Sequence, residues 1–245
     1  MEDGVELSVV IPVHNEAAIL ADSVAGLLER LPQVAESFEI LLCENGSRDG
    51  TLDIAREIER RHSRVGYLHR DTADYGQALR EGILLARGRY VVCDEIDLCD
   101  TRFYREALAL LRSDQVEMVV GSKVLAGARD ERPWLRHLAT QVFNLLLRTA
   151  AGFRGTDTHG LKAFARKPLL PVVLECVLGQ NLFASEFVIR AERRGIRIRE
   201  IPLDVREKRR PTINLASRVP RALWQIGQLA WLLRVKDRRP RDRDA

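Results

Sequence analysis

Polar and acidic side chains stand directly after the apolar runs in the first half of the chain. Glu44 and Asn45 follow the second such run, Asp74 lies beyond the third, and Glu95 and Asp97 follow the fourth. Carboxylate oxygens accept hydrogen bonds from hydroxyl and N–H groups, or hold a hard cation such as Mg²⁺ or Mn²⁺ that also binds phosphate oxygens. Such residues can contact a base or a ribose, or hold a cation that bridges to phosphate, although the 95–97 triplet alone is also typical of a solvated turn.

The elements that must position these residues alternate between strands and helices. The apolar runs of strand length are 7–11, 38–43, 65–68 and 89–93, with a further strand predicted at 116–121. The helical patterns between the first four runs are 16–31, 52–62 and 77–86. This alternation predicts right-handed crossovers and a mainly parallel sheet, whose ligands bind beyond the carboxyl ends of the strands. The acidic loops are therefore expected at one edge of the sheet.

The second half of the chain has a less regular pattern. It predicts a long helix at 133–151, a glycine-containing loop at 152–160, a short strand at 161–165, helices at 169–177 and 183–194, and a half-exposed strand at 196–202. The predicted fold class is α/β, with a Rossmann-like, mainly parallel sheet flanked by helices.

Several classes of protein are disfavoured by what the chain lacks. It has no GxGxxG after the first strand and no GxxxxGK[ST], which argues against a dinucleotide dehydrogenase and a P-loop enzyme. Its 4 cysteines include no CxxC pair, so a disulfide scaffold or a structural zinc site is not expected. The cysteine content is typical of a protein in a reducing compartment. The first residues are typical of a strand and not of a signal peptide.

The end of the chain is basic. Residues 206–245 carry 12 Lys and Arg against 4 Asp and Glu, which favours an anionic partner. Within this region 221–234 has an apolar helical face and carries Trp224 and Trp231, but it is too short to span a membrane. Two interpretations stay open, a terminal helix packed on the domain and an interfacial helix with its tryptophans at the lipid head groups.

The order of the motifs resembles the family-2 glycosyltransferases with the GT-A fold. The segments that carry this resemblance are VVIPVHNE, LLCENGSRDGT and DYGQALREGILLARGRYVVCDEID. The later segments MVVGSKVLAG, TDTHGLKAF and EFVIRAERRGIRIREIPLDVREKR resemble the dolichyl-phosphate and polyprenyl-phosphate mannose synthase branch. The match implies a GT-A domain at 1–213, with a nucleotide-sugar half (1–100) and an acceptor half (101–213), before an amphipathic helix and basic tail at 214–245.

The resemblance implies roles for individual residues in the first half. The nucleotide-sugar contacts that it implies are Pro12, His14, Glu16, Glu44, Asn45, Asp74, Gly76, Glu95 and Asp97. Mg²⁺ or Mn²⁺ is expected on Asp97, with Glu95 on the metal or the ribose, because Glu95 replaces the first Asp of the family's DxD motif. Asp94 is a register alternative. Asn45 replaces a frequent Asp, which leaves the donor base open.

The second half is expected to supply cations for the acceptor and the diphosphate. The candidates are Lys123, Arg136, Lys162, Lys208, Arg209 and Arg210, each of which is otherwise an ordinary surface cation. Asp97, Asp157 and Glu186 are the candidate catalytic carboxylates. For Asp157 the alternative is a turn-stabilising side chain, and for Glu186 it is an ion pair with Arg190 at i+4.

The resulting expectation is an inverting transferase that moves a sugar from a GDP- or UDP-linked donor to a polyprenyl phosphate. It would act as a peripheral protein on the cytoplasmic face of the membrane, held there through 215–235. Two alternatives stay open, transfer to a soluble or polymeric hydroxyl acceptor and an inactive nucleotide-sugar-binding or membrane-adaptor module. No motif indicates a nucleic-acid partner, and the oligomeric state is not predicted.

Overall fold

A single seven-stranded sheet forms the centre of the molecule. The structure is a computed structural model that describes residues 4–127, 134–180, 182–204, 224 and 226–236, with backbone only at 134–140 and 235–236. The strands are β1 (Leu7–Val13), β2 (Phe38–Asn45), β3 (Val65–Arg70), β4 (Tyr90–Cys93), β5 (Met118–Ser122), β6 (Lys162–Ala165) and β7 (Ile198–Pro202). Their order in the sheet is β3-β2-β1-β4-β6-β5-β7.

Helices cover both faces of this sheet. They are α1 (Leu20–Arg30), α2 (Thr51–Arg61), α3 (Tyr75–Leu85), α4 (Thr101–Arg112), α5 (Trp134–Ala151), α6 (Arg166–Glu175) and α7 (Leu182–Arg193), followed by a C-terminal helix described over 226–236. One apolar core lies between the sheet and α1, α2 and α4. A second core packs α3, α5, α6, α7 and the C-terminal helix against the other face. Side chains of a strand alternate between the two cores, as in Val9 and Val10.

The predicted parallel sheet is confirmed, with one exception. Strand β6 runs antiparallel between β4 and β5. Its first residue, Lys162, is the register partner of Cys93 at the end of β4. The start of β6 therefore lies at the same edge of the sheet as the carboxyl ends of the parallel strands, where the predicted site is.

The start of one helix and the presence of another differ from the sequence prediction for local reasons. Helix α1 begins at Leu20 and not at residue 16, because Glu16 N donates to Thr51 Oγ1 at 2.8 Å and the chain first packs against the next loop. Helix α4 had no predicted counterpart. It begins after Asp100, whose carboxylate accepts from Arg102 N at 3.0 Å and caps the helix. The predicted domain boundary at 213 lies outside the described residues and stays a prediction.

Candidate active site

The loops after β1 and β2 are bonded to each other at the carboxyl edge of the sheet. We call 14–17 the first loop and 45–51 the second loop. Asn15 N donates to Ser47 Oγ at 2.9 Å, and Arg48 N donates back to Asn15 Oδ1 at 2.8 Å. Asn15 has a left-handed φ of 55°, which asparagine adopts more readily than most residues. The two loops therefore form one unit at the end of the central strands.

The predicted nucleotide residues His14 and Asn45 strengthen this unit. His14 Nδ1 donates to the carbonyl oxygen of Asn45 at 2.7 Å, and the Asn45 amide donates to Val13 O at 3.0 Å. Asn45 is 3% exposed and His14 is exposed, while Pro12 lies buried within β1. Of these three residues, His14 is the one whose side chain faces solvent.

Glu44 is fully buried beneath this unit, at the end of β2. Its Oε1 accepts from Ser47 N at 2.6 Å, and its Oε2 is hydrogen-bonded to His69 Nδ1. Burial by itself raises the pKa of Glu44, but the hydrogen bonds from Ser47 and His69 outweigh it and hold the pKa below its usual range. Glu44 is therefore an ionised carboxylate, and His69 on β3 stands beside it. His69 was not among the residues predicted for the site.

Asp74 and Gly76 bring a segment of the second half to the same edge. Asp74 caps α3 through its Oδ1, which accepts from Gln77 N at 2.9 Å and from Gln180 N at 2.6 Å. A Cβ on Gly76 would collide with Gln180 O, so only glycine permits this approach of the backbones. The connection between α6 and α7 is thus fastened to the start of α3.

The turn after β4 carries Glu95 and Asp97, both partly exposed. Asp94 is 2% exposed; its Oδ1 accepts from Glu95 N at 2.5 Å and its Oδ2 accepts from Asp100 N at 3.2 Å and from the Tyr104 hydroxyl. Burial raises the pKa of Asp94 to about 7. The register alternative with Asp94 as a ligand does not fit this arrangement, because its carboxylate is enclosed by the turn that it holds.

The chemistry of the donor set at this turn suits a magnesium- or manganese-type cation. Such ions are held by one or two protein carboxylates and complete their shell with water and substrate phosphate oxygens. Glu95 and Asp97 are two partly exposed carboxylates on one turn. Within the described part of the chain, no three His, Cys, Asp or Glu side chains come together as a metal site. The site therefore fits a cation that arrives with a phosphorylated ligand and does not resemble a closed structural metal site.

Two lysines and a carboxylate of the second half lie near this turn. Lys162 is 3% exposed, and burial lowers its pKa, while Asp157, Lys123 and Glu95 all act on it electrostatically. Its Nζ donates to Gly160 O at 2.8 Å. Lys123 follows β5 and its backbone N–H donates to Asp157 Oδ2 at 3.4 Å. The structure thus brings four residues predicted separately to one place.

The turn that carries Asp157 is held by Glu200 of β7, a residue that the sequence analysis missed. Glu200 Oε1 accepts from Thr156 N at 2.6 Å and from Asp157 N at 3.2 Å, and Oε2 accepts from the Thr156 hydroxyl at 2.9 Å. Asn144 of α5 donates to Thr156 O at 2.5 Å from the other side. Asp157 itself is 2% exposed and accepts from His159 N at 2.8 Å. The alternation of charged and apolar residues in β7 was the available signal for Glu200.

The contacts of Glu186 agree with the ion-pair interpretation. It is 0% exposed, and its Oε1 accepts from Arg190 Nε at 2.8 Å. Its Oε2 accepts from Val177 N at 3.0 Å and from Leu178 N at 2.8 Å, in the segment that Asp74 also holds. These contacts make Glu186 a residue that positions the α6–α7 connection; its catalytic role stays a prediction that they do not favour.

Some residues predicted for the site lie outside the described part of the chain. Arg136 lies on α5, but its side chain is outside the described part. Lys208, Arg209 and Arg210 also lie outside the described residues, as do 215–223.

The C-terminal helix packs on the domain along one side, as one of the two interpretations expects, and its interfacial role stays a prediction. Ile226, Leu229 and Leu233 are buried in the second core, and Arg193 donates to Leu233 O at 2.7 Å. Trp224 and Trp231, in contrast, are 65% and 63% exposed. Among the described residues, no helix has the length and apolar character needed to cross a membrane.

The sheet order, the acidic loops and the helices on both faces define a GT-A fold. Solved structures share it: glucosyl-3-phosphoglycerate synthase from Mycobacterium tuberculosis, in complex with Mn²⁺, UDP and glucosyl-3-phosphoglycerate, matches with a TM-score of 0.67. That match has 19% sequence identity and covers 93% of this chain and 80% of the synthase chain. The predicted fold class is thereby confirmed.

The chain belongs to glycosyl transferase family 2, whose model matches residues 8–174. Glycosyltransferase AglD of Haloferax volcanii is 29% identical over 238 residues, which are 91% of this chain and 38% of AglD. The chain thus spans well under half of that relative. Dolichyl-phosphate hexose transferase of Haloferax volcanii is 26% identical over 204 residues, which are 83% of this chain and 84% of that protein. The resemblance to the polyprenyl-phosphate branch is confirmed.

Proposed function

We propose that this protein transfers a hexose from a UDP- or GDP-linked donor to a polyprenyl phosphate. The observation that carries the proposal is that Lys123, Asp157 and Lys162 lie at the carboxyl edge of the sheet, near the turn that carries Glu95. A phosphate acceptor is already anionic at neutral pH, so it needs cations that position it more than it needs a general base. The dolichyl-phosphate relative acts on an acceptor of this class by its name.

The donor would lie across the loop unit and the turn after β4. Asp97 and Glu95 would hold Mg²⁺ or Mn²⁺, which would offset the negative charge that develops on the departing diphosphate. The loop unit of residues 14–17 and 45–51 would bind the nucleoside, because its bonded loops form a fixed surface. The synthase from Mycobacterium tuberculosis was crystallised with Mn²⁺ and UDP, which supports this placement.

The acceptor phosphate would approach from the side of β5 and β6. Lys123 is partly exposed and can contact the phosphate directly. Lys162 is buried, so its charge would act through the low-dielectric interior and would hold Asp157 and the neighbouring turn in place. Asp157 would orient Lys123 through the bond to its backbone N–H.

The membrane surface is the expected place of action. Trp224 and Trp231 are exposed on a helix whose opposite side is packed into the protein. Tryptophan is favoured at the head-group level of a bilayer, and nearby basic residues are attracted to anionic lipids. We therefore place this helix against the bilayer on the cytoplasmic face, where it would bring the site close to a lipid acceptor.

A transfer assay with two kinds of acceptor tests the proposal. The chain is incubated with radiolabelled UDP- and GDP-linked hexoses, Mn²⁺, and either a detergent-dispersed polyprenyl phosphate or soluble sugars. Label extracted into organic solvent is expected with the lipid. Lys123→Ala should lower this transfer, whereas Lys167→Ala, on an exposed residue of α6, should not.

The outcomes of this assay separate the alternatives. Transfer to soluble sugars without transfer to the lipid would replace the proposal by a hydroxyl-acceptor enzyme. Nucleotide binding without any transfer would favour an inactive binding module. If the chain neither binds nor transfers any donor, the proposal is refuted altogether.

A further inference from the structure

His69 and Glu44 lie side by side at the ends of β3 and β2. The His69 side chain reaches the surface, and the Glu44 side chain is buried. Glu44 and His69 are register partners on neighbouring parallel strands, so their side chains stand on the same face. The Glu44 side chain is 0% exposed, and the His69 side chain is 34% exposed. A ligand at this edge therefore meets the imidazole before it meets the carboxylate.

The bond to Glu44 determines which nitrogen of His69 is left for a ligand. Glu44 is ionised and can only accept hydrogen bonds, so the proton shared with it belongs to His69 Nδ1. The Asp71 carboxylate at Nε2 can likewise only accept, so Nε2 also donates in this arrangement. Nε2 lies 3.3 Å from Asp71 Oδ1, and the Asp71 side chain is 98% exposed. A ligand can displace so exposed a side chain at little cost.

We infer that His69 contacts the base of the bound nucleotide through Nε2 and contributes to base selectivity, with Glu44 as the residue that positions it. The inference rests on the proposed function. A donating Nε2 suits a base with a carbonyl oxygen at the major-groove end of its pairing edge, as uracil (O4) and guanine (O6) have, whereas cytosine and adenine carry an amino group there. The adjoining unit of loops 14–17 and 45–51 places this nitrogen beside the expected nucleoside site, because Ser47 bonds both to Glu44 and to Asn15.

Two substitutions at position 69 separate base contact from mere support of Glu44. The amide nitrogen of asparagine stands as many bonds from Cα as Nδ1 does, so His69→Asn keeps a donor for Glu44 and removes Nε2. The longer glutamine places its amide near the position of Nε2, so His69→Gln keeps the outward group and loses the bond to Glu44. His62→Asn, on an exposed histidine after α2, is the matched control.

The experiment measures the Kd of UDP, GDP, CDP and ADP in the presence of Mn²⁺ by titration calorimetry. The wild-type chain should bind UDP or GDP at least about tenfold more tightly than CDP and ADP. His69→Asn should weaken the preferred nucleotide by about tenfold and abolish the difference between bases. His69→Gln should retain most of that difference, and His62→Asn should match the wild type.

The opposite pattern would overturn the inference. If His69→Asn discriminates between bases like the wild type while His69→Gln does not, the residue only supports Glu44. If His69→Asn melts far below the wild type, the His69→Gln variant is used instead. Loss of the difference in Kd between bases in His69→Gln would contradict a base contact. A wild-type chain that binds none of the nucleotides refutes the proposed function itself, whereas normal binding with unaffected variants refutes only the role of His69.

Discussion

Replacing Glu200 by alanine tests how the turn that carries Asp157 is held. The change removes three acceptor contacts, from Thr156 N at 2.6 Å, from the Thr156 hydroxyl at 2.9 Å and from Asp157 N at 3.2 Å. A hydrogen bond to a charged group contributes about 1.5–3 kcal/mol, and the partial exposure of Glu200 reduces each to about 1 kcal/mol. We therefore expect the free energy of unfolding to fall by about 3 kcal/mol.

Urea unfolding followed by tryptophan fluorescence measures this loss. Glu200→Gln retains an acceptor oxygen and should cost about 1 kcal/mol. Glu117→Ala is the control: Glu117 accepts from Arg197 N at 3.0 Å just before β5, at the opposite edge of the sheet. It should cost under about 1 kcal/mol, because Glu117 accepts from one backbone N–H where Glu200 accepts from two, and its partner Arg197 is exposed.

The same variants connect stability with activity. A displacement of about 1 Å in a positioned group can cost about a hundredfold in rate, so Glu200→Ala should slow transfer by at least about tenfold under conditions where it is folded. Glu117→Ala should leave the rate unchanged. A Glu200→Ala variant that is as stable as Glu117→Ala would refute the supporting role of Glu200. A variant that is destabilised but transfers at the wild-type rate would refute the link between this turn and activity.

Three further changes test other parts of the molecule. Burial raises the pKa of Glu39, but bonds from Ser8 and Arg87 hold it below its usual range, so its stabilisation exists above the unfolded-state pKa and disappears as pH falls through the folded-state pKa. Glu39→Gln should therefore weaken the acid dependence of the melting temperature, and an unchanged acid profile would contradict this. Asp97→Asn should preserve melting but lower Mn²⁺-dependent transfer by about a hundredfold; a normal rate at saturating Mn²⁺ would exclude Asp97 as ligand. Replacing both exposed tryptophans of the C-terminal helix by alanine should reduce flotation with anionic vesicles without altering melting, and equal flotation would remove them from a membrane contact.

The sequence predicts the first half of the fold well because its signals are local. Strands such as β1 and β2 are short apolar runs, and the helices between them carry an apolar stripe. Turns rich in polar residues separate them. The order of these motifs also predicts the family, since the same loops recur at the same ends of the strands.

The direction of β6 could not be predicted from its sequence. Lys162–Ala165 has the length and composition of a strand, but no local feature distinguishes a parallel from an antiparallel neighbour. The antiparallel direction of β6 depends on its pairing with β4 and β5, and this pairing places Lys162 at the site. The prediction that Lys162 belongs to the site came from resemblance, and the burial that lowers its pKa is a property of the fold.

The roles of the buried carboxylates also could not be predicted from local sequence. The sequence offers two interpretations of Glu186, and its contacts with Arg190 and with the α6–α7 connection distinguish them. His69 directly follows the predicted strand at 65–68 and Glu200 lies within the one at 196–202, and at both positions a polar residue usually means an exposed side chain. Glu44 lies 25 positions from His69, and Thr156 and Asp157 lie 44 and 43 positions from Glu200. The bonds that orient Glu44 and Asp157 therefore depend on strand register.

The joined loops after β1 and β2 have a consequence for protein engineering. Since Asn15 bonds to Ser47 and accepts from Arg48, a loop taken from a homologue and grafted alone would leave these polar groups without their counterparts. A chimera made to accept another donor should exchange 14–17 and 45–51 together. Natural variation at either segment should likewise be tolerated mainly when both change in concert.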